Sequence, residues 1–318
     1  MITKVTHYVH ARHAERLRAR LGPVGVFCVP LITASAADAC AAARRLEELG
    51  YGALWIGESP STKEVFAHAA ALLAATERLV VASGIANVWM REPAAMVAGA
   101  ATLSDAYQDR FLLGVGASHQ GSIEQLGRTP RGPLTVMREY LDGMDGAPYA
   151  GPLPDDGVPR VLAALRPRMV DLARERAAGA HPYFVPVEHT ARTRAALGPD
   201  RLLAPEQAFI LDADPAAARE RAREHVHAHI TRASYAASMR SLGFTDEDLA
   251  DGGSDRLVDA TVAFSDVDAV AARVQAHLDA GADHVVVQAL TPDLDVALEQ
   301  LATIRAALPR AAATRPTG

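Results

Sequence analysis

Leu79-Val80-Val81-Ala82-Ser83-Gly84-Ile85-Ala86-Asn87, followed after a helical stretch by Arg110-Phe111-Leu112-Leu113-Gly114-Val115-Gly116-Ala117-Ser118-His119, decides the fold of this 318-residue chain. Each half is an apolar run without polar alternation, which suits a parallel strand covered on both faces. Each run ends in a turn that carries glycine. In parallel α/β proteins the chemistry gathers at the carboxyl ends of strands, where these turns fall. A backbone without Cβ there lets a flat or anionic ligand approach closely.

Working outward, the same alternation repeats. Val24–Val29 reads as a first strand, followed by a helix over Ala34–Leu49 that Gly50 closes. Ala53–Gly57 and Thr62–Thr76 form the second pair, Leu79–Asn87 and Pro93–Tyr107 the third. Phe111–Gly116 is the fourth strand, with a helix around Leu134–Leu141 and a Pro/Gly-rich loop from Gly146 to Pro159 after it. Val161–Ala164, Ala180–Val185, a stretch within Glu206–Leu211 and His284–Ala289 complete eight strands, with helices at Arg168–Ala178, His189–Leu197 and Val267–Ala280. Eight strands alternating with helices predict an α/β (β/α)8 TIM barrel in a single domain over residues 1–318. Residues 1–22 read as a helix-prone lead-in and 309–318 as a frayed tail. Between strands seven and eight, 212–265 is too long for a plain crossover and predicts a helical insertion, with helices at Ala216–Ile230, Ser234–Leu242 and Asp246–Asp251.

Composition narrows the function classes. With 49% hydrophobic and 22% charged residues the chain can bury a large core. Its apolar runs are too short to span a bilayer, and its first residues lack the apolar segment of a secretory leader. Two cysteines, Cys28 and Cys40, fit a reducing compartment rather than a disulfide framework, so a cytoplasmic location is expected. A net charge of −6 without a basic run argues against nucleic acid as a partner. Gly114-Val115-Gly116-Ala117-Ser118-His119 departs from a dinucleotide fingerprint where His119 replaces glycine, and Gly-x-Ser-x-Gly, His-Glu-x-x-His and phosphate-loop motifs are absent. His225 and His229 share a helix face, yet no carboxylate cluster of matching spacing accompanies them, and a solvated helix is the expectation there. His119 at the mouth of a barrel is a candidate proton carrier.

Four segments carry a resemblance. Gly50-Tyr51-Gly52-Ala53-Leu54-Trp55-Ile56-Gly57-Glu58, then Val81–Val88, Arg91-Glu92-Pro93-Ala94 and Arg110–Gly116 follow one another as in the bacterial luciferase-like superfamily. In order and spacing they are similar to its coenzyme F420-dependent branch. The resemblance covers roughly Val24 to Ala289. It implies a barrel that binds F420, with FMN as the alternative cofactor, and acts on a small-molecule substrate as a homodimer. It implies a non-proline cis peptide at Gly84-Ile85 backing the cofactor ring, with Gly116, Ala117 and Ser118 along its edge. Phosphate-side contacts are implied at Ala164, Leu165 and Arg166 after the fifth strand, and at Gly179, His189 and Thr190 around the sixth. Catalysis falls to His119 and Glu58. The sugar-phosphate dehydrogenases of that branch carry histidine where Ser59 stands, and a glutamate where His119 stands. The chain therefore resembles the branch without matching those enzymes. Two rivals remain open: a monooxygenase using reduced FMN, and a flavin-binding barrel without turnover.

Overall fold

A computed structural model describes residues 3–4, 11–108, 110–154 and 157–310. The predicted tail from 311 onward lies outside the described residues, as do most of the first ten. Eight parallel strands make the barrel: β1 (Val24–Phe27), β2 (Ala53–Ile56), β3 (Val80–Ser83), β4 (Phe111–Gly116), β5 (Arg160–Leu162), β6 (Gly179–Ala180), β7 and β8 (Val285–Ala289). Strand β7 is split at Ala204-Pro205 into Leu202–Leu203 and Glu206–Leu211. Its first half pairs with β6 and its second with β8, so β7 joins the two ends of the sheet. The proline, which has no N–H to donate, stands where the ladder changes partner.

Side chains alternate across the wall. Ala53 and Trp55 of β2 point into the barrel with Val80, Ala82, Leu112, Val161 and Val286, whereas Leu54, Ile56, Val81 and Leu113 pack outward under the helices. Both faces are therefore apolar, the pattern that the uninterrupted runs predicted. Gly114 is required by packing: a Cβ there would lie 2.0 Å from the Ser83 carbonyl oxygen. The Ser83 hydroxyl instead bridges both backbone groups of Gly114, at 2.8 and 2.9 Å.

The lead-in is a plug. Helix α1 (Ala11–Leu21) sends Leu17 and Leu21 into the barrel's interior cluster at its amino-terminal end. Burying a leucine in this way contributes about 1.5–3 kcal/mol, which offsets the ordering of a helix that is otherwise strongly polar. Above the plug, Trp55 stacks on His181 at 4.2 Å and donates Nε1–H to His284 Nε2 at 3.1 Å. His284 in turn reaches the Gly22 carbonyl through Nδ1 at 2.7 Å.

The crossover helices are α2 (Ala36–Glu48), α3 (Val65–Ala74), α4 (Pro93–Ala106), α5 (Gln120–Gln125), α6 (Pro133–Asp145), α7 (Pro167–Arg176) and α8 (Val187–Leu197). The insertion contributes α9 (Pro215–Ile230), α10 (Ala233–Ser241) and α11 (Asp255–Thr261), then a strand, Val262–Ser265, that pairs with the second half of β7. The predicted helix over Asp246–Asp251 is instead a series of turns. Asp251, Gly252 and Gly253 all take positive φ, which ends any helix there, and Asp248 ties the loop to Thr245, Ser254 and Arg256. Helices α12 (Val267–Asp279) and α13 (Leu294–Arg305) close the barrel around β8. No helix of the described residues is long and apolar enough to cross a membrane.

Candidate active site

At the carboxyl ends of β2 to β4 the floor of the mouth is mostly backbone. The Gly84-Ile85 peptide is cis, as the resemblance implied, and both residues are partly exposed. A Cβ on Gly84 would meet Phe27 at 3.0 Å and His181 Nε2 at 3.1 Å. A Cβ on Gly116 would lie 2.6 Å from Ile85 Cγ1, so glycine at 116 is what lets Ile85 seat. Ala163 borders the same spot, 3.2 Å from that position. Alternation along β5 puts Ala163 toward the mouth and turns the predicted contact, Ala164, into the outer core. Ala117 and Ser118 follow at the rim: the Ala117 carbonyl accepts Trp89 Nε1–H at 2.9 Å, and Ser118 takes φ +59°.

Glu58 is a strut. Its carboxylate, with no exposed side-chain surface, accepts the backbone N–H of Val65 at 3.1 Å and of Asn87 at 2.9 Å. Arg91 grips both oxygens with its two terminal nitrogens. The Arg-Glu-Pro-Ala segment therefore supplies the partner that locks β2, the chain after β3 and the start of α3 together. With both oxygens engaged, Glu58 does not present a free carboxylate to a substrate, which corrects the expectation of a catalytic role.

His119 stands at the rim under the insertion. Its Nδ1 lies 3.3 Å from the Ser234 hydroxyl, and its ring is 5.0 Å from that of Tyr235 on α10. Burial pushes its imidazole down to about 4, and the charge of Arg232 adds to that, so His119 is neutral at pH 7. His225 and His229, expected on a solvated helix face, instead pack ring to ring at 4.3 Å, His229 stacking on Phe184 and His225 meeting it edge-on.

Three residues not anticipated from the sequence converge beside it. Tyr183, beyond β6, donates its hydroxyl to Gln288 Oε1 of β8 at 2.9 Å. Glu206 of β7 is 1% exposed, accepts the Phe184 N–H at 3.1 Å through Oε2, and has no partner for Oε1. Burial raises its carboxyl to about 8. A glutamate in a largely apolar strand was the one available signal, since a carboxyl among Ala204, Ala208 and Phe209 must point somewhere buried.

On the opposite side, Arg166 is exposed at the N-cap of α7 and its guanidinium bonds to none of the described residues. Leu165 is partly exposed next to it. The other residues at which a phosphate contact was implied are buried, and the side chains of His189 and Thr190 bond within the protein. His189 bonds through Nε2 to the Leu165 carbonyl at 2.8 Å and through Nδ1 to Thr193, while Thr190 bonds to His277 at 2.7 Å. Gly179 is a packing glycine, its Cβ position 2.0 Å from the Leu202 carbonyl oxygen.

Comparisons with known proteins agree with this architecture. The profile of the family described as luciferase-like monooxygenase matches residues 23–284. A 5,10-methylenetetrahydromethanopterin reductase of Methanolobus tindarius is 24% identical over 207 residues, which span 57% of this chain and 64% of that protein. An F420-dependent secondary alcohol dehydrogenase, solved with an F420–acetone adduct, superposes with a TM-score of 0.71 at 16% identity, over 90% of this chain and 99% of its own. The oxygenating constituent of 3,6-diketocamphane monooxygenase from Pseudomonas putida, solved with FMN, gives 0.64 at 16%, over 91% and 99%. At these identities the structural likeness shows the fold.

Proposed function

The chain belongs to the luciferase-like monooxygenase family, and we propose that it is an oxidoreductase that binds coenzyme F420 and moves a hydride between the deazaflavin C5 and a small organic substrate. The observation that carries this reading is the backbone-built floor. Three successive strand ends carry Gly57, Gly84 and Gly116, and the space left by their missing Cβ atoms seats the Phe27 ring, His181 and Ile85. With those side chains drawn back against the glycines, the partly exposed Gly84-Ile85 step leaves a shallow floor that fits a flat tricyclic ring. Arg166, without a partner among the described residues and at a helix amino terminus, fits the phosphate of that cofactor. An F420-dependent and an FMN-binding protein both share this fold, so the titration below separates the two cofactors.

When bound, F420 supplies a two-electron carrier that gives or takes a hydride at C5. The protein's own part is position, dryness and the proton. Ile85 holds the ring from behind. His119, neutral at pH 7, is in the form that takes a proton from a substrate hydroxyl as hydride leaves the adjoining carbon, and returns it in the reverse direction. Ser234 fixes the imidazole through Nδ1 and so leaves Nε2 for the substrate. Helices α9 and α10 roof this side and exclude water.

Titration of the purified protein with F420, followed by quenching of cofactor fluorescence, tests the assignment. A dissociation constant of about 1 µM or tighter, weakened in Arg166→Ala, is expected. Tight FMN binding without F420 binding would move the protein to a monooxygenase that takes reduced flavin from a partner.

A further inference from the structure

We propose that the ends of β6, β7 and β8 form a hydrogen-bonding bank in which Glu206, Tyr183 and Gln288 hold the oxygen of an uncharged carbonyl substrate. The proposal rests on the oxidoreductase reading and names the substrate class for the same site.

Strand register brings these residues together. Glu206 lies opposite Val286 and Ala208 opposite Gln288, so Glu206 and Gln288 share the parity of Val286, whose side chain is inside the barrel. Tyr183 follows two residues after His181, which also points inward onto Trp55. In a closed cycle of eight strands β7 stands across from β3. The bank therefore faces the Gly84-Ile85 floor over the mouth, where a substrate would lie between cofactor and protein.

Two of the three groups, Glu206 and Gln288, carry donors that lack an acceptor among the described residues, and Tyr183 orients the second. Glu206 Oε2 accepts the Phe184 N–H, while Oε1 is buried and unpartnered. An ionised carboxyl left so would be costly, whereas in the acid form the proton on Oε1 is a donor. Burial favours that form. The Tyr183 hydroxyl engages the oxygen of the Gln288 amide, which leaves both amide hydrogens without a partner among the described residues. Phe27 and Tyr235 wall Tyr183 at 5.7 and 6.4 Å and supply apolar surface for the rest of the molecule. An acceptor oxygen on an otherwise apolar small molecule, the pattern of a ketone, matches this set.

Ligand-observed NMR titration of the full chain, with and without F420, compares cyclohexanone with methylenecyclohexane, which has the same shape and no oxygen. Wild type should bind the ketone roughly tenfold more tightly. That preference should fall to near unity in Gln288→Leu, Tyr183→Phe and Glu206→Leu, and persist in Glu206→Gln, whose amide donates from the place of the acid. Far-UV circular dichroism confirms that each variant is folded, and any one of the three loss variants that folds suffices. Equal affinity for the two probes in wild type, or an intact preference in a folded Gln288→Leu, overturns the proposal. A protein that keeps the preference but does not bind F420 upholds the bank and defeats the cofactor reading.

Discussion

The two sides of the barrel mouth are made in opposite ways. At β2 to β4 the floor depends on missing side chains: Gly57 and Gly84 make room for Phe27 and His181, buried Gly116 makes room for Ile85, and the Gly84-Ile85 peptide is left partly exposed. The stiffness of that side comes from behind, through the Glu58–Arg91 pair and its two backbone N–H donors. At β6 to β8 the surface consists of side chains, and they arrive from distant places: His119 after β4, Tyr183 after β6, Glu206, Ser234 and Tyr235 on the insertion, and Gln288. The first side suits a ligand whose shape never changes, which is a cofactor. The second can be altered residue by residue without disturbing the barrel, which is what a substrate side requires.

Breaking the strut should have the largest effect. Glu58→Ala leaves Arg91 held only by the half-exposed Glu64 and frees two backbone donors, so a stability loss of about 3 kcal/mol in urea denaturation is expected. A loss below about 1 kcal/mol would mean that the backbone side holds itself without the strut. His119→Ala addresses the other side. Turnover should fall by about 10²–10⁴ while F420 affinity changes less than about twofold, as steady-state rates and fluorescence titration would report. Similar losses in both quantities would erase the division of labour between the two sides.

Protonation offers a subtler contrast. Glu206 binds its proton more tightly in the fold, at about 8 against an ordinary 4.5, so its contribution to stability is complete below about pH 4.5 and is lost as the pH rises through 8. Glu206→Gln should flatten that slope by an amount on the order of 3 kcal/mol between pH 5 and 9, read from urea midpoints. His119 and His229, both pushed down to about 4 by burial, act in the other direction: their stabilisation is lost as the pH falls from 6.5 toward 4. The smallest expected effect is that of Gly116→Ala. Its new Cβ displaces Ile85, and F420 affinity should weaken about tenfold with a stability cost of about 1–3 kcal/mol. Unchanged affinity would remove Ile85 from the cofactor surface.

Much of this contrast follows what was legible in the chain. The apolar runs and glycine-bearing turns located the eight strands, because a strand covered on both faces has no polar positions to blur the pattern. The insertion was evident from its length, but its third helix was misplaced: Asp246–Asp251 has helical composition, and the left-handed residues that follow it decide otherwise. Glu58 was recognisable as important, yet its role depended on Arg91, 33 residues away. The resemblance implies contacts at Ala164, Gly179, His189 and Thr190, and their burial is a tertiary fact that no spacing along the chain reports.

The sequence by itself determined the barrel, its glycine-lined floor and the place of the turn at Gly84-Ile85, since these depend on local periodicity and on residues that lack a side chain. Only the tertiary structure decided which polar groups are engaged and which stand open. Glu206 meets Phe184 across the gap between strands β6 and β7, Tyr183 meets Gln288 from residues 105 apart, and His119 meets Ser234 from 115 apart. Hydrogen bonding and desolvation act over a few ångströms of space, and no spacing along the chain records which groups closure of the barrel will bring within that reach.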